Sequence, residues 1–517
     1  MERNTKAICE AVKQNDLNKV LEMIVSASYR EDERHEREQF DLFDRPEMEL
    51  NCPLFVACEY ERLDILAALL SCSLFDINQR RAGWTPLCLA AANGLIEVAR
   101  MLCNDPFIDI SKESNGCTPL CIACEEGHIE IVRFLISHEK SDINIESENG
   151  CTPLCVCCED GNTEILHLLL ADKRLDINRG NVDGSTPLIK ACGSDKEHVV
   201  GLLLSLPDIQ INLADYSGET ALFTASVQGH ENIVRLLLSH PDLDPNPITP
   251  PLPPPHRHRR AVAIDTPGIA YSSFVRSWEK GFQSIAGLIF SHPRFDPNQR
   301  EEGKALLQIA CQRSDQDLTS LLLSHPLTDV NILSLDGSTP LFQASCMGEI
   351  EIARLLLQHP KVNVNHRSRG DHTALQMAST INSPPLISLL FTHPDIDVNA
   401  SDDTGWTALH YAASLSFTDS ARELLSHPQI NPNVTSREGL TPFGICCEEG
   451  NIDIGRLFLQ HPATDLNLKS GSSLPLQLCC KSSNNDLVSL LLSDPRLSPS
   501  ASCCPLHTRP TLLSLSC

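Results

Sequence analysis

The sequence predicts an all-α solenoid of stacked helix-turn-helix units with short finger turns, and three observations carry that prediction. A threonine recurs at Thr85, Thr118, Thr152, Thr186 and Thr220, and again at Thr339, Thr373, Thr407 and Thr441, in steps of 33 or 34 residues. A fixed period in that range marks an array of repeats rather than a globular core. Behind each threonine come two short stretches with apolar residues at helical spacing. Two helices of about ten residues leave one apolar side facing water, so the unit needs copies of itself on both sides.

The unit from Gly116 to Asn144 shows the logic. Thr118 offers a capping hydroxyl, and Pro119 suits the first helical position, where a missing N–H costs nothing. Leu120, Ala123 and Cys124 then share one face of a first helix. Gly127-His128 breaks it, and Ile129, Val132, Phe134, Leu135 and Ile136 give a second helix its apolar face. Ser141 to Asn144 leads away extended. This pattern, with Thr-Pro-Leu opening the first helix, resembles the ankyrin repeat, a turn followed by two antiparallel helices. The resemblance covers most of the chain from Asn51 to Pro499, and what it implies is binding of other proteins along the face built from first helices and fingers. The family's frequent histidine after Thr-Pro-Leu occurs here only as His410; Cys, Phe, Ile, Gln or Gly stand elsewhere.

Taken in order, residues 1–27 read as an N-terminal capping helix pair without a strong Thr-Pro signature, as the end of a solenoid requires. Residues 28–50 are dense in charge of both signs and read as an extended loop, with a solvated helical turn as the most structure expected of it. Repeats fill 51–246. The stretch 247–270 holds a Pro-rich basic insertion, which cannot be helical. Repeats resume over 271–499, opening with a degenerate one in which Ser272-Ser273-Phe274 replaces Thr-Pro-Leu. The tail 500–517 has lost the pattern and is expected to be disordered. Recurring asparagines such as Asn78, Asn144 and Asn331 are expected to stabilise turns through their side chains. The recurrent His-Pro that ends the second helices, as at His240-Pro241, reads as a helix stop with the ring facing the last carbonyls.

Composition narrows the function classes. Lys plus Arg total 41 against 67 for Asp plus Glu, a formal charge of −26. That argues against nucleic acid, whose binding is driven by basic patches, and leans toward neutral or basic protein partners. No apolar run reaches the roughly 18 residues that span a bilayer, and the N-terminus lacks a signal-peptide core, so no membrane insertion and a cytoplasmic, reducing location are expected. Of the 23 cysteines, Cys124, Cys158, Cys192, Cys311 and Cys447 fall where Ala91 and Ala413 stand in other repeats, which reads as packing. Cys121-x-x-Cys124 followed by Cys155-x-x-Cys158 has zinc-like spacing, but the repeat already explains both pairs.

No phosphate-cradling glycine loop, His-Glu-x-x-His, nucleophile elbow or kinase signature is present, so no enzyme, cofactor or metal is expected. Two candidate partner sites remain. Glu125, Glu126, Glu159 and Asp160, joined by the finger residues Trp84, Asn115 and Asn149, read either as an acidic partner surface or as a solvated face. Pro250, Pro251, Leu252 and Pro253, followed by Arg257, read either as a ligand for WW or SH3 domains or as a spacer. The expected function is a scaffold or adaptor. A thiol-rich redox or metal-linked protein and a non-binding mechanical spacer stay open as alternatives.

Overall fold

A computed structural model describes residues 2–31, 52–72, 75–148, 150–246, 272–301 and 303–498. Among them are 28 helices in successive antiparallel pairs. The chain divides into two compact units, Met1–Phe295 and Asp296–Cys517. In each unit first helices pack on first helices and second helices on second helices, giving two helical layers. The first helices approach one another more closely, because small residues such as Ala90, Ala91, Cys124, Cys157 and Cys158 line their contacts with no exposure.

The threonine caps form as the sequence requires. Cys121 N–H donates to Thr118 Oγ1 at 3.2 Å, and Pro119 opens the helix Pro119–Glu125. The same bond recurs at Thr85, Thr152, Thr186, Thr220, Thr339, Thr373 and Thr441. Gly127, at φ +76°, lets the chain reverse before the second helix Ile129–Ser137. In the degenerate repeat the cap is lost: Ser272 makes no capping bond, and its buried hydroxyl has no partner. An aromatic trio holds that repeat instead, with Phe274 5.1 Å from Phe295 and 6.0 Å from Phe290. The N-terminal pair is Glu2–Lys13 and Leu17–Glu31, so its second helix enters the stretch read as a loop. The remainder of that charged stretch, the Pro-rich insertion and the tail lie outside the described residues.

The recurrent asparagines act between repeats rather than within a turn. Asn331 Nδ2 donates to Lys361 O at 2.7 Å, and its Oδ1 accepts Asn363 N–H at 2.7 Å. The local turn is closed by the residue two earlier, as when Asn331 N–H donates to Asp329 Oδ1. Equivalent pairs of bonds run from Asn78, Asn144, Asn178 and Asn212 in the first unit. In the second unit they run from Asn298, Asn365, Asn399, Asn433 and Asn467. Among the described residues one junction lacks the stitch: Ser111 stands in the asparagine's place and bonds locally, to Asp109 Oδ1 at 2.6 Å. Ser111→Asn places both groups within reach of Lys140 O and Asp142 N–H, and is expected to stabilise the first unit by about 1–2 kcal/mol. Urea midpoints with unchanged slope measure it. No gain there would show that the ladder records geometry without contributing stability.

The His-Pro endings carry a bond that the sequence reading did not name. The His292 ring bonds the last carbonyl of the preceding second helix, at Leu238, and in His240, His292, His325, His359, His393 and His427 each Nδ1 also accepts the backbone N–H two residues on, at 3.2–3.3 Å. Asp105, Asp172 and Asp494 do the same with a carboxylate. The position supplies an acceptor for a turn amide.

Candidate partner surface

Each first helix starts at a finger and ends within two residues of one in the left-handed region. Glu125 and Glu126 end one such helix, and Glu159 and Asp160 end its neighbour, Pro153–Asp160; all four are exposed. The two helices pack directly on each other, so the structure brings the two acidic pairs together. Burial raises the Asp160 carboxyl above its ordinary value, with Glu159 and Glu126 adding to the effect and Lys196 opposing it. Two cations of the next repeat lie alongside. Lys190 Nζ is 3.5 Å from Glu159, and the Lys196 stem lies over Gly161, 2.9 Å from where a Cβ would stand.

The finger residues sit at the other end of these helices. Trp84 bridges Arg81 through paired backbone bonds of 2.8 and 3.0 Å. Asn115 holds φ +50°, and its side chain covers Gly83, whose absent Cβ would meet Asn115 Oδ1 at 2.3 Å. A helix of seven or eight residues is about 12 Å long. Trp84 and Asn115 therefore share the first-helix layer with the acidic pairs but form no single cluster with them. Asn149 and the proline-motif residues Pro250, Pro251, Leu252, Pro253 and Arg257 lie outside the described residues.

The thiols are placed as core. Cys121, Cys124, Cys155 and Cys158 are all buried, and among the described residues no group of His, Cys, Asp and Glu converges to hold a metal ion. Burial pushes Cys155 up to about 11 and raises Cys158; a hydrogen bond with Cys157, then burial, raises Cys124. These sulfurs stay protonated at neutral pH, the form that neither attacks nor ligates. Cys121 Sγ donates to Cys151 O at 3.6 Å, a contact from one repeat to the next.

Sequence reasoning missed the same position in the second unit. Eight residues after Thr118 and Thr152 come Glu126 and Asp160; eight after Thr339, Thr373 and Thr407 come Met347, Ile381 and Leu415. All three are exposed. Aligning repeats on their threonines would have found them, since the signal is a position and not a motif. No helix among the described residues is long and apolar enough to cross a membrane.

Comparison with known proteins agrees with this architecture. The family model for ankyrin repeats, three copies per match, fits residues 8–114, 105–181, 173–248, 278–368 and 362–436, well over half the chain. The crystal structure of the ankyrin repeat protein EF0377 is similar at 20% identity, covering 36% of this chain and 96% of its own, with a TM-score of 0.34. No curated protein matches the chain.

Proposed function

Because the chain belongs to the ankyrin-repeat family, we propose that it is a non-enzymatic scaffold or adaptor whose first-helix layer binds protein partners, basic ones at the acidic pairs. The observation that carries this is the juxtaposition of Glu125, Glu126, Glu159 and Asp160, exposed on two adjoining helices of a chain with net charge −26. Like-signed charges so arranged attract a complementary surface and speed its encounter. Lys190 and Lys196 of the next repeat flank the patch on one side and limit its extent there, which favours a compact basic segment over a broad cationic face. The protonated buried thiols support packing over redox or metal chemistry and suit a reducing, cytoplasmic location.

The test is proximity labelling with the full chain beside a variant carrying Glu125→Lys, Glu126→Lys, Glu159→Lys and Asp160→Lys. Basic partners held by the parent are expected to fall about tenfold or more in the variant, the loss expected from a few screened charge contacts. An unchanged partner list would reject this surface.

A second surface is favoured by one observation. Asn246 Nδ2 donates to Arg294 O at 2.6 Å, so the stack is stitched together across the insertion between them. The repeats thus keep their register on both sides of Pro250, Pro251, Leu252, Pro253 and Arg257, as a grafted recognition segment for WW or SH3 domains requires. Loss of such partners on deleting 247–270, with the array otherwise intact, would support it.

A further inference from the structure

In the second unit Met347, Ile381 and Leu415 stand 34 residues apart on three successive first helices, 48, 38 and 44% exposed. They adjoin one another: Ile381 reaches back over Gly348, its Cδ1 3.3 Å from where a Cβ would stand. Met377 and Tyr411, one helical turn before Ile381 and Leu415, are half-buried and widen the row. The residues around it carry no charge. Cys346-Met347-Gly348, Thr380-Ile381-Asn382 and Ser414-Leu415-Ser416 close the three helices without one Lys, Arg, Asp or Glu, in a chain that is 21% charged. At the next repeat the row changes character, because the equivalent helix ends in Glu448 and Glu449, both exposed. The neighbouring cation does not neutralise them, since Lys481 Nζ turns to Ser473 Oγ at 3.2 Å. At the opposite end Arg313 holds the equivalent place, with Glu349 bonded to the adjacent Ser314, so that end is mixed in sign. An apolar row of this kind marks a surface that a partner covers. The two carboxylates say which charge that partner brings.

We propose that this row docks an amphipathic helix of a protein partner, with lysines or arginines of the helix's last turn against Glu448 and Glu449. First helices of successive repeats lie roughly 8–10 Å apart. Seven residues of helix rise about 10.5 Å and return to nearly the same face, so one apolar stripe meets Met347, Ile381 and Leu415 in turn. Helical form follows from what the row lacks. An extended segment brings backbone N–H and C=O groups that need partners, whereas a helix satisfies its own. Along the row Thr380 Oγ1 is already bonded to Met377 O, and Asn382 Oδ1 accepts from Ser420. Direction follows from charge, since cations are favoured at a helix C-terminus as well as opposite the two carboxylates. The proposal extends the scaffold reading to the second unit, with an apolar stripe in place of a wholly basic ligand. It does not depend on Glu125, Glu126, Glu159 and Asp160.

The experiment uses the full chain and a fluorescein-labelled synthetic helix of about 24 residues, long enough to run from Met347 to Glu449. The peptide carries leucines along one stripe, alanine and glutamine elsewhere, and lysines in its last turn. Fluorescence anisotropy is expected to show saturable binding, and a peptide of the same composition with its leucines scattered round the helix should bind about tenfold or more weakly. Ile381→Asp with Leu415→Asp in the protein should weaken binding about tenfold or more, and Glu448→Lys with Glu449→Lys should do likewise. A peptide with glutamates in its last turn should bind that second variant and not the parent, which separates a lost charge contact from a folding defect. The variant reversed to lysine at Glu125, Glu126, Glu159 and Asp160 is expected to bind as the parent does. Loss of binding in that variant, equal binding of the scattered peptide, or no saturable binding would overturn the proposal, and none of these removes the separate test of the acidic pairs. Sedimentation that shows the parent dimerising through the row, with the dimer lost in Ile381→Asp with Leu415→Asp, would give the row to a second copy instead and overturn it too.

Discussion

Acidifying the protein from pH 7 to pH 4 is expected to weaken the second unit by on the order of 3 kcal/mol through one side chain, His410, and His410→Gln should remove most of that loss. The ring is fully buried. Its Nδ1 accepts the Thr407 N–H at 3.0 Å, and its Nε2 lies 3.1 Å from Leu440 O of the next repeat. Nδ1 can accept only while it carries no proton, so Nε2 is the protonated nitrogen and donates to the carbonyl. A second proton would aim at an N–H. Burial lowers the folded ring to about 4 from an ordinary value of 6.5, against smaller raising effects of the Leu440 bond and Asp402. Below pH 6.5 the unfolded chain takes up a proton that the folded chain refuses. Stability is therefore complete above about 6.5, falls as pH drops, and levels off near 4.

Glutamine is the right replacement because the array already uses it there. Gln376 accepts the Thr373 N–H at 2.6 Å and donates to Trp406 O at 2.7 Å; Gln308 accepts the Ala305 N–H and donates to Ser338 O. His410→Gln thus keeps the bonds and loses the titration. Urea midpoints at pH 7, 5.5 and 4 for parent and variant would separate the two curves between 6.5 and 4. Other groups do not confuse the reading. Burial alone would raise Asp402, but bonds from Thr404, Tyr411 and the Trp406 amide hold it below its ordinary 3.8, so its contribution is present above that value and lost only at lower pH. His461 is lowered by burial and then by Arg496, with the same sign as His410, but it is common to both proteins and cancels. Parallel curves would show that the ring escapes to solvent when protonated.

The repeat period, the threonine caps and the small helix contacts were legible because each is a residue type demanded by backbone geometry at a fixed place. Asn331 and His359 were legible as positions but not as roles, since a period cannot tell a bond within one turn from a bond to the next repeat 30 residues away. How the repeats without a histidine after Thr-Pro-Leu make its bonds was hidden for a similar reason. Gln308 and Gln376 reproduce both bonds, while at Thr85 and Thr441 the amide is taken over by the hydroxyls of Ser114 and Ser470 from the following repeat. Of the candidate site, the adjoining acidic pairs could be read and the cations beside them could not. Glu159 and Asp160 looked like bare acid until Lys190 and Lys196 appeared beside them, and Met347, Ile381 and Leu415 belong to no motif at all.

Phe458→Ala is expected to cost about 3–5 kcal/mol and to unravel the end of the second unit rather than all of it. Phe458 has no exposure, and its ring centre lies 5.4 Å from that of Phe443. In the preceding repeat these positions are Leu409 and Leu424. The larger rings are matched by smaller partners: His410 gives way to Gly444, and Ala421 to Gly455. Both glycines are filled from outside, since a Cβ at Gly444 would meet Ser470 Cβ at 2.1 Å and one at Gly455 would meet Leu487 Cδ1 at 2.4 Å. Volume is thus redistributed across Phe443, Gly444, Gly455, Phe458, Ser470 and Leu487, and no neighbour is free to move into the space a lost ring leaves. In an array where each repeat touches only its neighbours, the cost falls on the helices from Pro442–Glu449 to Asn485–Leu492. Hydrogen exchange should show amides of 442–492 losing protection while those of 340–390 keep theirs. Phe458→Leu should cost about 1–1.5 kcal/mol, because it returns the leucine of the other repeats while Gly444 and Gly455 stay in place. Loss of protection spread evenly over the unit would mean that its repeats unfold as one, and a cost under about 1 kcal/mol would mean that Leu487 collapses into the cavity after all.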